Sequence, residues 1–157
     1  MAVRPYQIIV WVSVSIRELL EWDARTPRLP AILDPGNNHN FSISRGHLLR
    51  WAGIDSKLLD LLGEIRERGQ KLPLHAAALW LHSNRPGTRE VQPDAAPCRL
   101  TLTKGLALYP DATGARLPLV GLRALTQNHL YLTIDGQQRS ASLRTPDWGT
   151  RVLRWLT

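Results

Sequence analysis

The sequence contains few of the residues that define several common classes of protein. Among its 157 residues there is one cysteine, Cys98, so neither an intrachain disulfide nor a thiolate metal cluster can form. The apolar run at residues 8–12 is too short to span a membrane. Residues 1–5 show no signal-peptide pattern, so a reducing cytoplasm is the expected compartment.

Lysine is also scarce, although the chain is basic. Its formal net charge is +7, and most of its 20 basic residues are arginines. These arginines are dispersed, and no basic run reaches five residues, which is typical of a solvated surface. A basic β-domain that contacts nucleic acid is therefore the least favoured of the functions considered.

Motifs for metal, phosphate and serine chemistry are missing from the sequence. There is no glycine-rich phosphate loop, and Ser42 and Ser44 lack the Gly-x-Ser-x-Gly context of a serine nucleophile. The histidines show no paired spacing with carboxylates that would indicate metal ligands. They are His39, His47, His75, His82 and His129. We therefore expect neither a metal nor a cofactor.

The apolar residues follow the two-residue period of β-strands. Segment 6–16 is rich in β-branched and aromatic residues that alternate with serine, and segments 72–82 and 99–103 also alternate. The pair Asp135-Gly136 predicts a tight hairpin between two further strands. These patterns predict a mostly β fold.

Helices are predicted only in short segments. Residues 45–51 follow Ser44, a good N-cap, and two further short helices are expected at 56–62 and 122–127. A hydrophobic content of 43% is sufficient for one core, so residues 1–157 are expected to form a single domain. Within it, 83–97 is predicted to be an inserted loop and 147–157 an apolar C-terminal tail.

One acidic residue stands at the end of a predicted strand and is followed by a sharp turn. Residues 30–33 are apolar, Asp34 follows them, and Pro35-Gly36 turns the chain. A carboxylate held rigidly and partly desolvated at such a point suits acid–base chemistry. Taken alone, Asp-Pro-Gly is also a common surface turn.

A second apolar block, Leu119-Val120-Gly121 followed by Leu125, lies much later in the chain. With Ile32-Leu33-Asp34-Pro35-Gly36 it resembles the retropepsin-like aspartic proteases, in which an Asp-Thr-Gly follows one apolar strand and a short helix follows the later glycine. The resemblance covers residues 6–145 and implies a small closed β-barrel with one or two short helices. It makes Asp34 the catalytic residue, Pro35, Gly36, Asn37 and Asn38 the active-site turn, and Val120 and Gly121 the supporting loop.

The resemblance also implies how a peptide bond would be hydrolysed. Such proteases activate a water molecule between two carboxylates that share one proton. Because the chain carries one motif of this kind, the pair would need a homodimer in which each copy gives Asp34. Segments 5–12 and 148–156 are expected near that contact. The expected partners are a peptide or protein substrate and a second copy, with no membrane.

The charged segment 64–71 is predicted to be the tip of a hairpin. In the resemblance this hairpin is the flap, which closes over a bound peptide. Arg68, Gly69 and Gln70 are the candidates for its tip.

Pro35 departs from the family pattern. The family has a threonine there, whose hydroxyl and N–H link the two subunits beneath the carboxylates, and proline offers neither donor. A looser dimer with weak or absent activity is the consequence. Two functions on this fold therefore stay open: a homodimeric aspartic endopeptidase, and an inactive binding or dimerisation module.

Overall fold

The computed structural model describes residues 7–111 and 117–144, and the backbone of 153–156. In this part of the chain, strands greatly outnumber helices, so the prediction of a mostly β fold with short helices is confirmed. The strands are β1 Ile8–Ser15, β2 Leu29–Asp34, β3 Phe41–Ser44, β4 Leu61–Glu67, β5 Gln70–His75, β6 Ala78–His82, β7 Cys98–Thr101, β8 Leu106–Tyr109, β9 Leu119–Gly121, β10 Tyr131–Asp135, β11 Ser140–Arg144 and β12 Leu153–Leu156. The helices are α1 Arg45–Ala52 and α2 Leu122–Gln127, with a 3₁₀ turn at Ser56–Leu58.

Nine strands form one sheet, in the order β4-β5-β8-β3-β9-β2-β1-β6-β7. The other three form a second sheet in the order β10-β11-β12, and Ala141 and Leu143 of β11 join the core of the larger sheet. Within the described residues the pairing of the large sheet ends at β4 and β7, so its closure into a barrel stays a prediction.

Strand β1 is buried at the centre of the chain's own core. It pairs antiparallel with β2 on one side and with β6 on the other, and Val10 and Val12 are fully buried. Strand β1 is thus paired within the chain on both sides, over residues 8–12 with β2 and over residues 11–15 with β6, and a subunit contact near segment 5–12 stays a prediction. The C-terminal part of that expected contact lies outside the described residues, apart from β12, which pairs with β11.

Two predicted elements are shorter in the structure than the sequence indicated. Segment 72–82 is not one strand, because β5 ends at His75 and the N–H of Ala76 donates instead to the carbonyl of Asp60 (2.8 Å). The helix expected at 56–62 is a single 3₁₀ turn, although Asp55 caps it as predicted. Residues from Leu61 onward belong to β4, since their pairing with β5 satisfies the backbone more completely than one further helical turn.

Strand β2 begins at Leu29, one residue before the apolar run 30–33, and includes Pro30. Pro30 lies opposite Trp11 of β1, whereas pairing with β9 begins only at Ile32. There the N–H of Ile32 donates to the carbonyl of Pro118 (2.8 Å). Proline is tolerated in β2 because it precedes the stretch that needs donors toward β9.

The later hairpin forms where it was predicted, but its turn is longer. Asp135 pairs with Ser140, so four residues separate β10 from β11 rather than two. The Asp135 carboxylate accepts hydrogen bonds from the N–H groups of Gln137 and Gln138, both at 2.9 Å, and these bonds stabilise the wider turn.

Segment 83–97 connects β6 to β7 and is attached to the core at two points. Asn84 and Val91 form an isolated bridge within the segment. The side-chain amide of Asn84 donates to the carbonyl of Ile9 (3.3 Å), and the indole N–H of Trp11 donates to the carbonyl of Arg89 (2.7 Å). Its role as an insertion stays a prediction. In the described part of the chain, no helix has the length and apolar character needed to cross a membrane.

His82, at the end of β6, is completely buried. Its Nε2 lies 2.8 Å from the hydroxyl of Ser13 on β1, and Trp22 packs edge-on against its ring. Burial lowers the pKa of His82 to about 4, and the nearby Arg28 guanidinium acts in the same direction. The imidazole is therefore neutral in the folded protein at neutral pH.

We expect His82 to make the fold less stable in acid. Its ordinary pKa is 6.5, so the unfolded chain binds this proton more readily than the folded chain, whose pKa is about 4. The stabilising contribution is complete above pH 6.5 and declines as the pH falls toward 4, by about 3 kcal/mol in the free energy of unfolding. Urea unfolding near pH 7 and near pH 4.5 measures this decline. The variant His82→Gln does not titrate there and should show a smaller decline; an equal decline in both proteins contradicts the assignment.

Candidate active site

Asp34 lies at the carboxyl end of β2, beside Gly121 at the end of β9. The two strands run parallel, with Ile32, Leu33 and Asp34 opposite Leu119, Val120 and Gly121. The two sequence blocks that carry the resemblance are thus neighbours in the sheet, although most of the chain separates them.

The Asp34 carboxylate is oriented by its own turn. The N–H of Asn37 donates to the carbonyl of Asp34 (3.0 Å), which makes Pro35 and Gly36 the corner residues. The N–H of Gly36 donates to Asp34 Oδ1 at 2.9 Å. A proline at the first corner already has the φ angle that this turn needs. The turn therefore points a partly exposed carboxylate outward without help from another element.

Gly121 allows the loop after this turn to lie directly against β9. A Cβ atom at position 121 would come within 2.6 Å of the Asn37 carbonyl oxygen and closer still to that of His39. The N–H of Gly121 donates to the carbonyl of Asn40 (3.0 Å), and that of Leu122 to the carbonyl of Asn37 (3.1 Å). The predicted supporting role of Gly121 is thus a matter of backbone contact. Val120, its neighbour, is buried in the core.

The side chain of Asn37 stabilises the loop 37–40 by bonds to nearby residues. Asn37 donates to the hydroxyl of Ser42 (3.0 Å) and accepts from the N–H of His39 (3.2 Å). The resemblance makes Asn37 part of the active-site turn, and these bonds favour a role in holding that turn. Asn38, in contrast, is exposed.

Asn40 was not singled out from the sequence, yet it is completely buried. Its amide donates to Gln127 of α2 (2.6 Å), and its side-chain oxygen accepts from the N–H of Lys104 (3.1 Å). One side chain therefore joins the loop to α2 and to the turn before β8. These partners are distant in the sequence, so no local pattern could have revealed them.

An open cleft of about 400 Å³ lies beside the Asp34 turn. Its walls come from the turn, from strand β3, from the β4–β5 hairpin and from residues near β9. The lining residues are Asp34, Gly36, Asn37, Asn38, Ser42, Ile43, Ser44, Glu67, Arg68, Gln70, Leu72, Tyr109, Leu117 and Leu119. The structure thus brings the turn and the hairpin, two of the predicted site segments, to one cleft. Pro35, Gly69, Val120 and Gly121 do not line it.

The hairpin that borders the cleft has its tip where the sequence predicted it. Glu67 pairs with Gln70, so Arg68 and Gly69 form a two-residue turn. Their φ angles are 47° and 81°, the positive values that a type I′ turn requires at both positions.

A second acidic residue of the cleft, Glu67, was missed by the sequence analysis. The Tyr109 hydroxyl donates to Glu67 Oε2, and His39 Nε2 lies 3.6 Å from the same oxygen. The hydrogen bond from Tyr109 lowers the pKa of Glu67, whereas burial, followed by the contact with Glu67, raises the pKa of Tyr109. Glu67 and Tyr109 are 42 residues apart, so no spacing in the sequence indicates this contact.

The arrangement can perform acid–base chemistry at one carboxylate, that of Asp34. Glu67 also lines the cleft, but one of its oxygens is already engaged by Tyr109. Among the described residues, no group of three or more histidine, cysteine or acidic side chains could hold a metal ion. A chemistry that needs two free carboxylates would therefore draw the second one from another copy of the chain.

The chain has few matches among known proteins. No protein-family model and no curated protein sequence matches the chain. Among solved structures, the chain is similar to the retroviral protease-like domain of Ddi1 from Leishmania major. The two are 14% identical, the alignment covers 96% of this chain and 94% of that domain, and the TM-score is 0.47. The function proposed below rests on the chain's own residues.

We expect Gly121→Ala to destabilise the protein strongly. The added methyl group would overlap two backbone carbonyls, which cannot move aside as the end of a flexible side chain can. We expect a loss of about 3 kcal/mol in the free energy of unfolding, at the upper end of overpacking costs. Urea unfolding measures this loss. Gly136→Ala is the control, because nothing lies within 4 Å of that position; equal effects at both sites would contradict the close contact.

Proposed function

We propose that the chain has a retropepsin-like fold and acts as a homodimeric aspartic endopeptidase. The observation that carries the proposal is the position of Asp34: it ends β2, pairs with Gly121 of β9 and opens onto a cleft bordered by a hairpin. The two sequence blocks that carry the resemblance are thereby neighbours in one sheet and adjoin one cleft. The cytoplasmic location expected from the sequence is kept as part of the proposal.

In the proposed reaction, two copies of the chain would bring their Asp34 carboxylates together across a two-fold axis. One carboxylate takes a proton from a water molecule, which attacks the carbonyl carbon of the peptide bond. The other, protonated, donates to the carbonyl oxygen, and a proton then passes to the leaving amine. Because the pair shares one proton, cleavage is expected to be fastest below neutral pH.

The surroundings of the turn support a role for the second copy. Pro35 and Gly36 are exposed, so the described part of the chain does not cover the corner of the turn. The hydrogen bond from Gly36 engages Oδ1 of Asp34, and the described residues provide no further donor to this carboxylate. The other oxygen is thus available to a water molecule or to a partner carboxylate.

One observation favours a second candidate, an inactive binding or dimerisation module on the same fold. Pro35 has no N–H and no hydroxyl, so it cannot make the intersubunit bonds that threonine makes at this position in the family. Such a module would keep the cleft and bind a peptide without cleaving it. Cleavage that depends on Asp34 separates the two functions.

We expect Asp34→Asn to abolish peptide cleavage while leaving the fold intact. The amide keeps the shape of the side chain but cannot act as a base, and acid–base groups of this kind contribute about 10²–10⁴-fold to rate. The assay follows cleavage of a mixed peptide library by mass spectrometry between about pH 4.5 and pH 7, with and without pepstatin. Unfolding by urea confirms that the variant is folded.

Asp135→Asn is the matched control for this experiment. Asp135 also ends a strand, and its Oδ1 also accepts from the N–H two residues later, that of Gln137 at 2.9 Å. This substitution should leave cleavage unchanged. Cleavage by Asp34→Asn at the wild-type rate would overturn the protease proposal, and a folded wild-type protein that binds peptides but cleaves none would favour the module.

Replacing Pro35 should show how far it limits the dimer. Pro35→Thr supplies an N–H and a hydroxyl, and each hydrogen bond gained between subunits should tighten the dimer by about 1 kcal/mol, or about fivefold in Kd. Pro35→Ala supplies the N–H alone and should give about half of the gain in dimer affinity expected for Pro35→Thr. Sedimentation equilibrium measures both dissociation constants. The explanation fails if both variants fold normally yet show neither a tighter dimer nor faster cleavage.

A further inference from the structure

The outer half of the β4–β5 hairpin, residues 64–71, is largely exposed. Glu64, Arg68 and Lys71 are among its exposed side chains, although Arg68 also lines the cleft. The ion pair between Lys71 and Glu64, at 3.7 Å, joins the two strands of the hairpin to each other. It therefore does nothing to fix the position of the hairpin over the cleft.

Glu67 is the point at which this part of the hairpin is attached to the rest of the site. Its Oε2 accepts the hydrogen bond from Tyr109, the last residue of β8, and lies 3.6 Å from His39 Nε2. The rings of His39 and Tyr109 are also in edge-to-face contact, with their centroids 6.3 Å apart. Three elements thus meet at one carboxylate: the hairpin, β8 and the loop 37–40.

The other two members of this cluster belong to rigid parts of the structure. Tyr109 is the last residue of β8 and pairs with Ser44 of β3. His39 lies in the loop whose carbonyls pack against Gly121. Among the described residues, Glu67 provides the side-chain hydrogen bond and ion pair that join residues 64–71 to another element.

We propose that Glu67, Tyr109 and His39 are positioning residues that hold the β4–β5 hairpin over the cleft in the arrangement that binds a peptide. The role in peptide binding rests on the proposed function. The attachment of the hairpin does not, because it follows from the contacts of these three side chains alone.

The attachment depends on the charge of Glu67. The groups that face this carboxylate are the Tyr109 hydroxyl from β8, the His39 imidazole from the loop and Arg68 from the hairpin's own turn. A carboxylate accepts a stronger hydrogen bond than a neutral carboxyl group does. The hydrogen bond from Tyr109 lowers the pKa of Glu67 from its usual 4.5, so the attachment persists in mild acid and is lost as the pH falls through that lowered pKa.

Amide hydrogen exchange in the hairpin tests the attachment without requiring any activity. Tyr109→Phe removes the donor and keeps the ring, so amides of residues 65–72 should exchange about tenfold faster at pH 6, while core amides of β1 change less than about twofold. Glu67→Met, which keeps the side-chain length and removes the acceptor, should have a similar effect. The double variant should exchange no faster than either single variant, because both changes break the same contact.

Glu64→Gln is the matched control. It removes the ion pair between Glu64 and Lys71, which joins the hairpin only to itself. Exchange of the hairpin amides should therefore stay within about twofold of wild type. The wild-type protection factors should also fall in acid, and those of Glu67→Met should change less. Unchanged hairpin exchange in Tyr109→Phe, or equal acceleration in Glu64→Gln, would overturn the attachment.

Peptide binding provides the second arm of the test. Tyr109→Phe should raise KM, or the Kd for an uncleaved peptide, by about three- to tenfold, and kcat should stay within about twofold, because the hairpin contributes equally to ground-state and transition-state binding. A lower kcat with unchanged KM would contradict the positioning role. If the wild-type protein cleaves nothing, the endopeptidase proposal fails by itself, and the exchange and peptide-Kd measurements still decide the inference.

Discussion

The contact between Gly121 and the carbonyls of Asn37 and His39 is the constraint on which the site depends. Strands β2 and β9 lie side by side and end together, at Asp34 and Gly121. This is possible only because the backbone that follows β2 packs directly against the backbone of Gly121. Any side chain at 121 would fill that space. Once the loop is seated there, the N–H groups of Gly121 and Leu122 become its hydrogen-bond donors, and the orientation of Asp34 follows from the turn that precedes the loop.

The two sides of the cleft are held in place in different ways. On one side, the loop 37–40 is fixed by backbone bonds to α2 and by the buried side chain of Asn40, so moving it would leave several buried polar groups without partners. On the other side, the hairpin tip is exposed and joined to the site through Glu67. Motion of the cleft is therefore expected in the hairpin, whereas the Asp34 turn keeps its geometry.

Much of the fold could be predicted from the sequence where the signals are local. Three predicted features depend only on residues close together in the sequence, and the structure contains all of them: the cap at Ser44, the helix after Gly121 and the tight turn at Arg68-Gly69. The prediction of a single strand at 72–82 was wrong. The alternation of side chains continues through Ala76, but there the backbone leaves the sheet and its N–H donates to the carbonyl of Asp60.

Those parts of the site that were missed depend on contacts between distant segments. Ser42, Asn40 and Tyr109 show no unusual spacing from Asp34, and their importance follows from the order of strands in the sheet. Glu67 belonged to a segment predicted to be a hairpin tip, but the sequence gives no reason to select it from its charged neighbours. Topology, rather than composition, decides which of these polar residues face the cleft.

The place of Pro35 in the turn shows why its consequence must be sought between subunits rather than within one chain. Inside the chain, proline suits the first corner of the turn and stabilises the fold by about 0.4–1 kcal/mol, since it reduces the freedom of the unfolded chain. In the proposed dimer, the hydrogen bonds it cannot make, worth about 1 kcal/mol each, would all lie across the two-fold axis. The same substitution therefore strengthens the geometry of each Asp34 turn and weakens the contact that would pair two of them. For this reason a well-ordered Asp34 turn in one chain does not by itself distinguish an endopeptidase from an inactive module, whereas cleavage that depends on Asp34 does.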